Sequence, residues 1–294
     1  MLLLTGATGS IGSRLLPLLL ERGEDVRCLV REPRRLGERR VDVRIALGDL
    51  GEMQDPYLVR QALRGVDTVI HLAATIRDQP PKRIEELNGL ATVRLLRAAE
   101  RSGVESFHFF SALDAQAAQR TRFFRAKWLA ERAVSSSPLR TTVFAPSIVY
   151  DNSDPWITLL RRFSFLPVLP VSGSGQARFQ PIWAADAARC VVGALEAADP
   201  RPRYELAGPE TLTYDQMSDL VSRIAGRPRP LVHMPLPLVR SGLIALRALV
   251  GEATFATWEE AELMEVGMVS ERGPADAQAL GVEPRRMSDV LARA

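Results

Sequence analysis

A chain of 294 residues, 46% hydrophobic and 25% charged, can bury a large core, which excludes a disordered or fibrous protein. The net charge of +3 is too small for a dedicated nucleic-acid binder, because Arg31, Arg34, Arg35, Arg39, Arg40 and Arg44 are interleaved with Glu32, Glu38 and Asp42. Cys28 and Cys190 lie in apolar stretches and give neither a disulfide framework nor a metal-ligand spacing, so no metal site is expected and a reducing cytoplasm is the simplest setting.

The opening stretch MLLLTGATGSIGSRLLPLLL lacks a basic n-region, and Gly6, Gly9 and Gly12 interrupt its apolar run, so it reads as folded structure and not as a signal peptide. From there, short apolar runs alternate with helical patterns. Strands are expected at Leu2 to Leu4, Val26 to Val30, Val43 to Leu47, Thr68 to Ala73, Phe107 to Ser111 and Thr141 to Ala145. Apolar residues at three-to-four spacing predict helices over Ile11 to Arg22, Tyr57 to Leu63, Ile84 to Arg101 and Phe123 to Val134. This rhythm predicts an α/β fold, a doubly wound parallel sheet of the Rossmann type.

After Tyr150 the pattern changes. DNSDPWITLLRRF reads as a helix opened by Asp154, LPVLPVSGSGQARFQPIW as strands around a Gly/Ser turn, GRPRPLVHMPLPL as a strand and connector, and helical pieces dominate from residue 211. The expected organisation is a nucleotide-binding domain over 1–150, completed by parts of 183–210, and a smaller, irregular substrate-side region over 151–294. Trp156, Phe165, Phe179 and Trp183 there are equally good pocket or core residues. The stretch 231–250 carries Arg240 and Arg247 and is no membrane span. Its amphipathic part is read first as a packed helix and only second as a membrane-surface contact.

TGATGSIG places Gly6, Gly9 and Gly12 directly between the first strand and the first helix. Glycines there permit a tight turn and close backbone approach to a pyrophosphate, which then sits on the positive end of the helix. Thr5, Thr8, Ser10 and Ile11 belong to the same loop. NAD sites carry an acid at the end of the second strand to bind the ribose hydroxyls; here that position is Arg31. With Arg14 as a second cation, the reading prefers NADP(H) and leaves NAD(H) open. Asp49 and Leu50, in LGDL, would reach the adenine edge, and Leu72, Ala73 and Ala74, in HLAA, let backbone approach the cofactor. His71, His108 and His233 are read as packed histidines.

These residues resemble the extended and atypical short-chain dehydrogenase/reductases, in TGATGSIG, GDL, HLAA, Asn88 within LNGLATVRLLRAAERSGV, FFSA, the helix carrying Lys127, and APSIVY with Pro146 and Ile148. FQPIWAADAARCVVGAL, YELAGPETLTYDQM and ALGVEPRRMSDVL are most similar to the subgroup related to the Rossmann-type accessory subunit of respiratory complex I, and NmrA-like NADP sensors share several pieces. The resemblance implies a Ser/Tyr/Lys site, with Asn88, Pro146 and Ile148 near the cofactor. Ser111 and Lys127 match that pattern. Phe123 stands where the tyrosine belongs, and a phenyl ring has no proton to exchange. Tyr150 is left as a substrate contact only. Two readings follow: an NADP-dependent oxidoreductase of weak or non-standard activity on an unknown small molecule, or a cofactor-binding redox sensor or structural subunit with a protein partner. Lys127 bears on both, because all but it and Lys82 of the 38 basic residues are arginine.

Overall fold

A computed structural model of the protein describes residues 1–49, 51, 55–79, 81–250 and 257–292. Leu50 lies outside the described residues, as do the side chains of 245–250 in the stretch read as a membrane contact. In chain order the first elements are β1 (Leu2–Thr5), α1 (Ser10–Glu21), β2 (Val26–Val30), a 3-10 segment (Pro33–Val41), β3 (Arg44–Leu47), α2 (Pro56–Leu63) and β4 (Thr68–His71). A π-turn (Glu86–Leu90) leads into α3 (Ala91–Glu100), followed by β5 (Ser106–Phe110), α4 (Arg122–Ser135) and β6 (Arg140–Pro146). Next come β7 (Val149–Tyr150), α5 (Pro155–Phe163), β8 (Leu169–Ser172), β9 (Arg178–Phe179), β10 (Ile182–Trp183), α6 (Ala184–Glu196) and β11 (Arg203–Leu206). The chain closes with β12 (Leu212–Thr213), α7 (Tyr214–Ile224), β13 (Leu231–Met234), α8 (Leu236–Val250), α9 (Trp258–Leu263), α10 (Ala275–Ala279) and α11 (Met287–Leu291).

The chain forms two compact units. The first comprises Met1–Pro146, Ala184–Leu206 and Ala275–Glu283, and the second Ser147–Trp183, Ala207–Pro274 and Pro284–Ala294. Ile148 and Tyr150 therefore belong to the second.

The first unit is built on a seven-stranded sheet in the order β11-β6-β5-β4-β1-β2-β3. Every pairing is parallel. The order reverses between β1 and β4, and in such sheets ligands bind at the carboxyl ends of the strands beside that switch. Central strands are covered on both faces, which is why β5, SFHFF, is buried along its whole length. Leu3, Leu29, Val69, Phe107 and Val143 meet Leu63, Leu95, Leu96, Ala130 and Val134 in one core. Fully burying each of these valine, leucine and phenylalanine side chains contributes roughly 1.5–3 kcal/mol. On the other side α1 packs against α6. The strand β3 closes one edge and is mostly exposed.

Two departures from the expected elements have local causes. The strand expected to reach Ala73 ends at His71, because the Ala73 amide turns to the Thr5 hydroxyl at 3.2 Å. The helix expected over 84–101 starts with a π-turn. There the buried Asn88 side chain donates to Thr75 O (2.7 Å) and Ile84 O (3.0 Å) and accepts from Thr75 N (2.9 Å). Such bulges aim a side chain that a regular helix would misdirect.

In the second unit Asp154 caps α5 by accepting from Trp156 N at 2.7 Å. Phe179 is fully buried there, whereas Phe165 is 66% exposed and stacks under Arg227 at 4.0 Å. Parallel pairing of β13 with β8 sets His233 opposite Val171. His233 corrects the packed-histidine reading: it is exposed, and its Nε2 meets Asp215 at 2.9 Å. Among the described residues no helix is long and apolar enough to cross a membrane, and no His/Cys/Asp/Glu group could hold a metal ion.

Candidate functional site

The three loop glycines do different work. Gly6 has φ +74°, and a Cβ on it would lie 2.7 Å from Ala73 N, so both backbone angle and close approach to the end of β4 demand glycine. A Cβ on Gly12 would collide with Gly6 O. Gly9 is different: its backbone is extended, with φ −83°, and a Cβ would meet only Gly6 O, at 3.3 Å. The fold itself tolerates a side chain there; the space beyond the loop is what glycine leaves open. No side chain caps the N-terminus of α1, and no acidic residue sits in its first turn. The end of this 12-residue helix thus presents positive dipole and donors to that space. These features fit a dinucleotide pyrophosphate.

A cleft of about 280 Å³ opens from the loop. Thr5, Gly6, Thr8 and Gly9 line it from the loop, and Leu72, Ala73 and Ala74 from the end of β4. Arg31 and Asp49 line it from the ends of β2 and β3. Sequence reasoning missed Arg35, Thr75 and Gln79, which also line it. The Arg31 guanidinium donates to Gln79 Oε1 at 2.9 Å and lies 3.4 Å from Asp49. So the cation expected beside a 2′-phosphate has a carboxylate next to it, supplied by the neighbouring strand. Ser10, Ile11 and Gly12 form the first turn of α1, and the exposed Arg14 follows them; none of the four lines the cleft.

Thr5 is buried. Its Oγ1 accepts from Ala73 N and bonds His71 Nδ1 at 2.7 Å, while His71 Nε2 bonds Thr92 at 2.9 Å. Burial, and then the charge of Lys127, push His71 down to about 3, which suits a structural neutral imidazole. Burial first and Arg140 second lower His108 to about 4. Burial pushes the Cys28 and Cys190 thiols up to about 12, so neither is a reactive thiolate.

The second cluster lies where β5 meets α4. Thr121 caps α4, and Arg122 ties its start to Asp78 and Glu85 with bonds of 2.6 to 3.1 Å. One turn on, Lys127 is 3% exposed, and its Nζ donates to Phe110 O at 2.6 Å. Nζ lies 4.9 Å from the Phe109 ring centre and 5.8 Å from that of Phe123. Burial drives the Lys127 ammonium down to about 7, against the opposing pull of Glu131. Ser111 donates a short hydrogen bond to Glu131, whose other oxygen accepts from Arg203 Nε at 2.9 Å. The Ser111 hydroxyl is thus directed to a carboxylate that sequence reasoning missed. Its signal was its place four residues after Lys127, on the same helix face. Pro146 is buried and accepts from Leu113 N at 2.9 Å.

Residues 6–163 match the family described as NAD(P)H-binding. The chain belongs to that family. Among curated relatives of this NAD(P)H-binding protein, the mitochondrial NADH dehydrogenase [ubiquinone] 1 alpha subcomplex subunit 9 of Arabidopsis thaliana is 26% identical over 254 residues, covering 80% of this chain and 60% of that one. The (4-alkanoyl-5-oxo-2,5-dihydrofuran-3-yl)methyl phosphate reductase of Streptomyces griseus is 28% identical over 247 residues, covering 83% and 81%. Among solved structures, an NADPH-dependent quinone oxidoreductase from Escherichia coli complexed with NADPH superposes with a TM-score of 0.78 at 16% identity, covering 100% of this chain and 99% of that one, a likeness of fold. The chain spans 60% of the length of its complex I relative, and the homology reaches both a subunit and a reductase.

Proposed function

We propose that this member of the NAD(P)H-binding family binds NADP(H) in preference to NAD(H) and has a degenerate Ser/Tyr/Lys site with little or no ordinary carbonyl reduction. The observation that carries the reading is the phenyl ring of Phe123 facing the Lys127 ammonium, with the Ser111 hydroxyl directed to Glu131. The residues that would hold a dinucleotide are the loop from Thr5 to Gly12, the α1 N-terminus, Arg31 with Arg35, and Ala73 with Ala74. A bound nicotinamide would supply a hydride donor or acceptor. Lys127 supplies a buried cation for a ribose; Asn88 holds the loop at Thr75; Ser111 is kept by Glu131.

What the reading lacks is a proton donor, whose loss typically costs about 10²- to 10⁴-fold in rate. It therefore favours a non-catalytic cofactor binder, a redox sensor or structural subunit, with a regulatory protein as partner. The relation to a reductase and the near-neutral Lys127 favour a second reading, slow reduction of a small carbonyl with Lys127 exchanging the proton. The buried thiols support a reducing compartment such as the cytoplasm.

Calorimetric titration with NADPH and NADH, followed by assay of NADPH oxidation on small aldehydes, ketones and quinones, separates these readings. Tight NADPH binding without turnover supports the first. Turnover near 10 per second, an ordinary enzyme rate, overturns it. A slow rate that falls as pH rises through about 7 supports the second.

A further inference from the structure

Arg31, Asp49, Thr75 and Gln79 line the cleft together, and all four belong to the first unit. Arg31 follows β2, where a dinucleotide ribose is read, and its side chain is half exposed, so an untethered guanidinium there would lose much rotamer freedom on clasping a phosphate. It is tethered. Its Nη1 donates to Gln79 Oε1 at 2.9 Å and stands 3.4 Å from Asp49 Oδ2, so the amide is the nearer partner. That order matters, because a carboxylate neutralises the guanidinium, whereas an amide holds it and leaves its charge for a ligand.

Gln79 is itself fixed at both ends. Its backbone pairs with Lys82, through Gln79 N to Lys82 O at 3.0 Å and Lys82 N to Gln79 O at 2.8 Å. Its Nε2 donates to Thr75 Oγ1 over a longer 3.4 Å. Thr75 spends its only proton on Arg77 O at 2.7 Å, so its oxygen can only receive from the amide. Arginine has donors alone, so the end of the amide that meets it must be the oxygen. Two separate neighbours thus demand one amide orientation. Thr75 is held in turn by the buried Asn88, which accepts from its N–H and donates to its carbonyl. A file of side chains therefore runs from the π-turn before α3 to the guanidinium in the cleft.

We propose, on the basis of the NADP(H) preference given above, that Gln79 is a specificity-determining residue: supported by Thr75 and Asn88, it holds Arg31 toward the 2′-phosphate without cancelling its charge. Holding the side chain in advance removes the ordering cost that an exposed arginine otherwise meets on binding. The bond to Gln79 engages Nη1, and the N–H groups on the other two nitrogens have the fork geometry that a phosphate takes. Asp49 pulls the opposite way, since an acid beside the ribose suits the hydroxyls of NAD(H). Gln79 decides between the two by keeping the guanidinium nearer to an amide than to an acid.

The test titrates the full chain calorimetrically with 2′,5′-ADP and with 5′-AMP, which differ only in the 2′-phosphate, and reads the ratio of the two affinities. The wild type should prefer 2′,5′-ADP by about tenfold, and Arg31→Ala should remove that preference. Gln79→Leu should lower the ratio by about fivefold, the scale of one lost hydrogen bond. Thr75→Val should lower it by about twofold, and Thr75→Ser should keep it. Gln79→Glu should abolish the preference, because a second carboxylate neutralises Arg31 and repels the phosphate. A merely structural loss would weaken both ligands alike. A Gln79→Leu protein that keeps the wild-type ratio or loses both ligands in parallel, or a Gln79→Glu protein that still prefers 2′,5′-ADP, overturns the role of Gln79 and leaves the NADP(H) preference standing. An undiminished ratio in Arg31→Ala also overturns that role alone and transfers the phosphate to Arg35, which lines the same cleft. Equal affinities in the wild type overturn the NADP(H) preference and the role of Gln79 together.

Discussion

The phosphate loop and the Lys127 corner lie on one sheet, yet they are built from different material. The loop is backbone: two glycines the fold cannot replace, one it could, and a helix end with nothing over it. The corner is side chains: an ammonium on a carbonyl, a hydroxyl on a carboxylate, and a phenyl ring 5.8 Å from the lysine nitrogen. A backbone site survives sequence drift as long as its glycines do, whereas one side-chain change removes the proton chemistry and leaves the fold intact.

The sharpest way to break this comparison is within the loop itself. Gly12→Val forces a branched carbon into Gly6 O and should cost on the order of 4 kcal/mol of stability, measured by urea unfolding. Gly9→Val should unfold like the wild type yet lose NADPH affinity by more than about 100-fold, roughly 2.7 kcal/mol. If both variants behave alike, the loop is a turn and not a cradle.

Lys127 offers the next effect. Its folded pKa is depressed to about 7 from an unfolded 10.5. The unfolded chain therefore binds the extra proton between those values, and stability rises with pH across the window by up to about 1.4 kcal/mol per unit. Above 10.5 the cost is absent; below about 7 it is constant. Lys127→Met should flatten the difference in slope between pH 7.5 and 10, roughly the window just given, and should weaken NADPH binding. A slope unchanged by the substitution would mean that the amine is not desolvated.

Arg31→Ala should weaken NADPH by about tenfold and leave NADH nearly untouched, in paired titrations. Equal losses would assign Arg31 to a general adenosine contact, with Asp49 deciding the ribose. The smallest effect is that of Phe123→Tyr, which places a hydroxyl one turn before Lys127 and should raise any residual carbonyl reduction by a few-fold with stability changed by less than about 0.5 kcal/mol.

The loop and the sheet were legible because their signals are local and periodic: glycines every third residue, and apolar runs such as VRCLV that coincide with β2. What escaped was non-local. Gln79 reaches Arg31 across 48 positions, and Arg203 reaches Glu131 across 72, distances over which no spacing rule operates. The second unit was harder still, since β9, β10 and β12 have two residues each, too few for any alternation to show. His233 was misread because its exposure depends on a parallel pairing with β8 that lies sixty-odd residues back. The Lys127 corner was half legible: identity and helix register gave the phenyl ring its place, but the partner of Ser111 depended on rotamers.

The row of hydroxyls through His71 has an arrow. Thr92 spends its proton on Asn88 O at 2.8 Å, so it can only receive from His71 Nε2, which must carry the hydrogen. Nδ1 is then bare and takes the Thr5 proton, and Thr5 in turn receives from Ala73 N. Every hydrogen from Ala73 to Asn88 therefore points one way, and the imidazole has a single tautomer. A second proton on His71 would face the Thr5 hydroxyl head-on and force that one hydrogen to turn away, while the bonds from Nε2 through Thr92 to Asn88 O keep their sense. Replacing His71 by glutamine keeps the volume near but offers an oxygen and an amide that must choose the same sense, so the row should re-form in only one of the two amide orientations. Thr5 and Ala73, which line the cleft, are in this way held in one hydrogen-bonding sense by buried groups behind them.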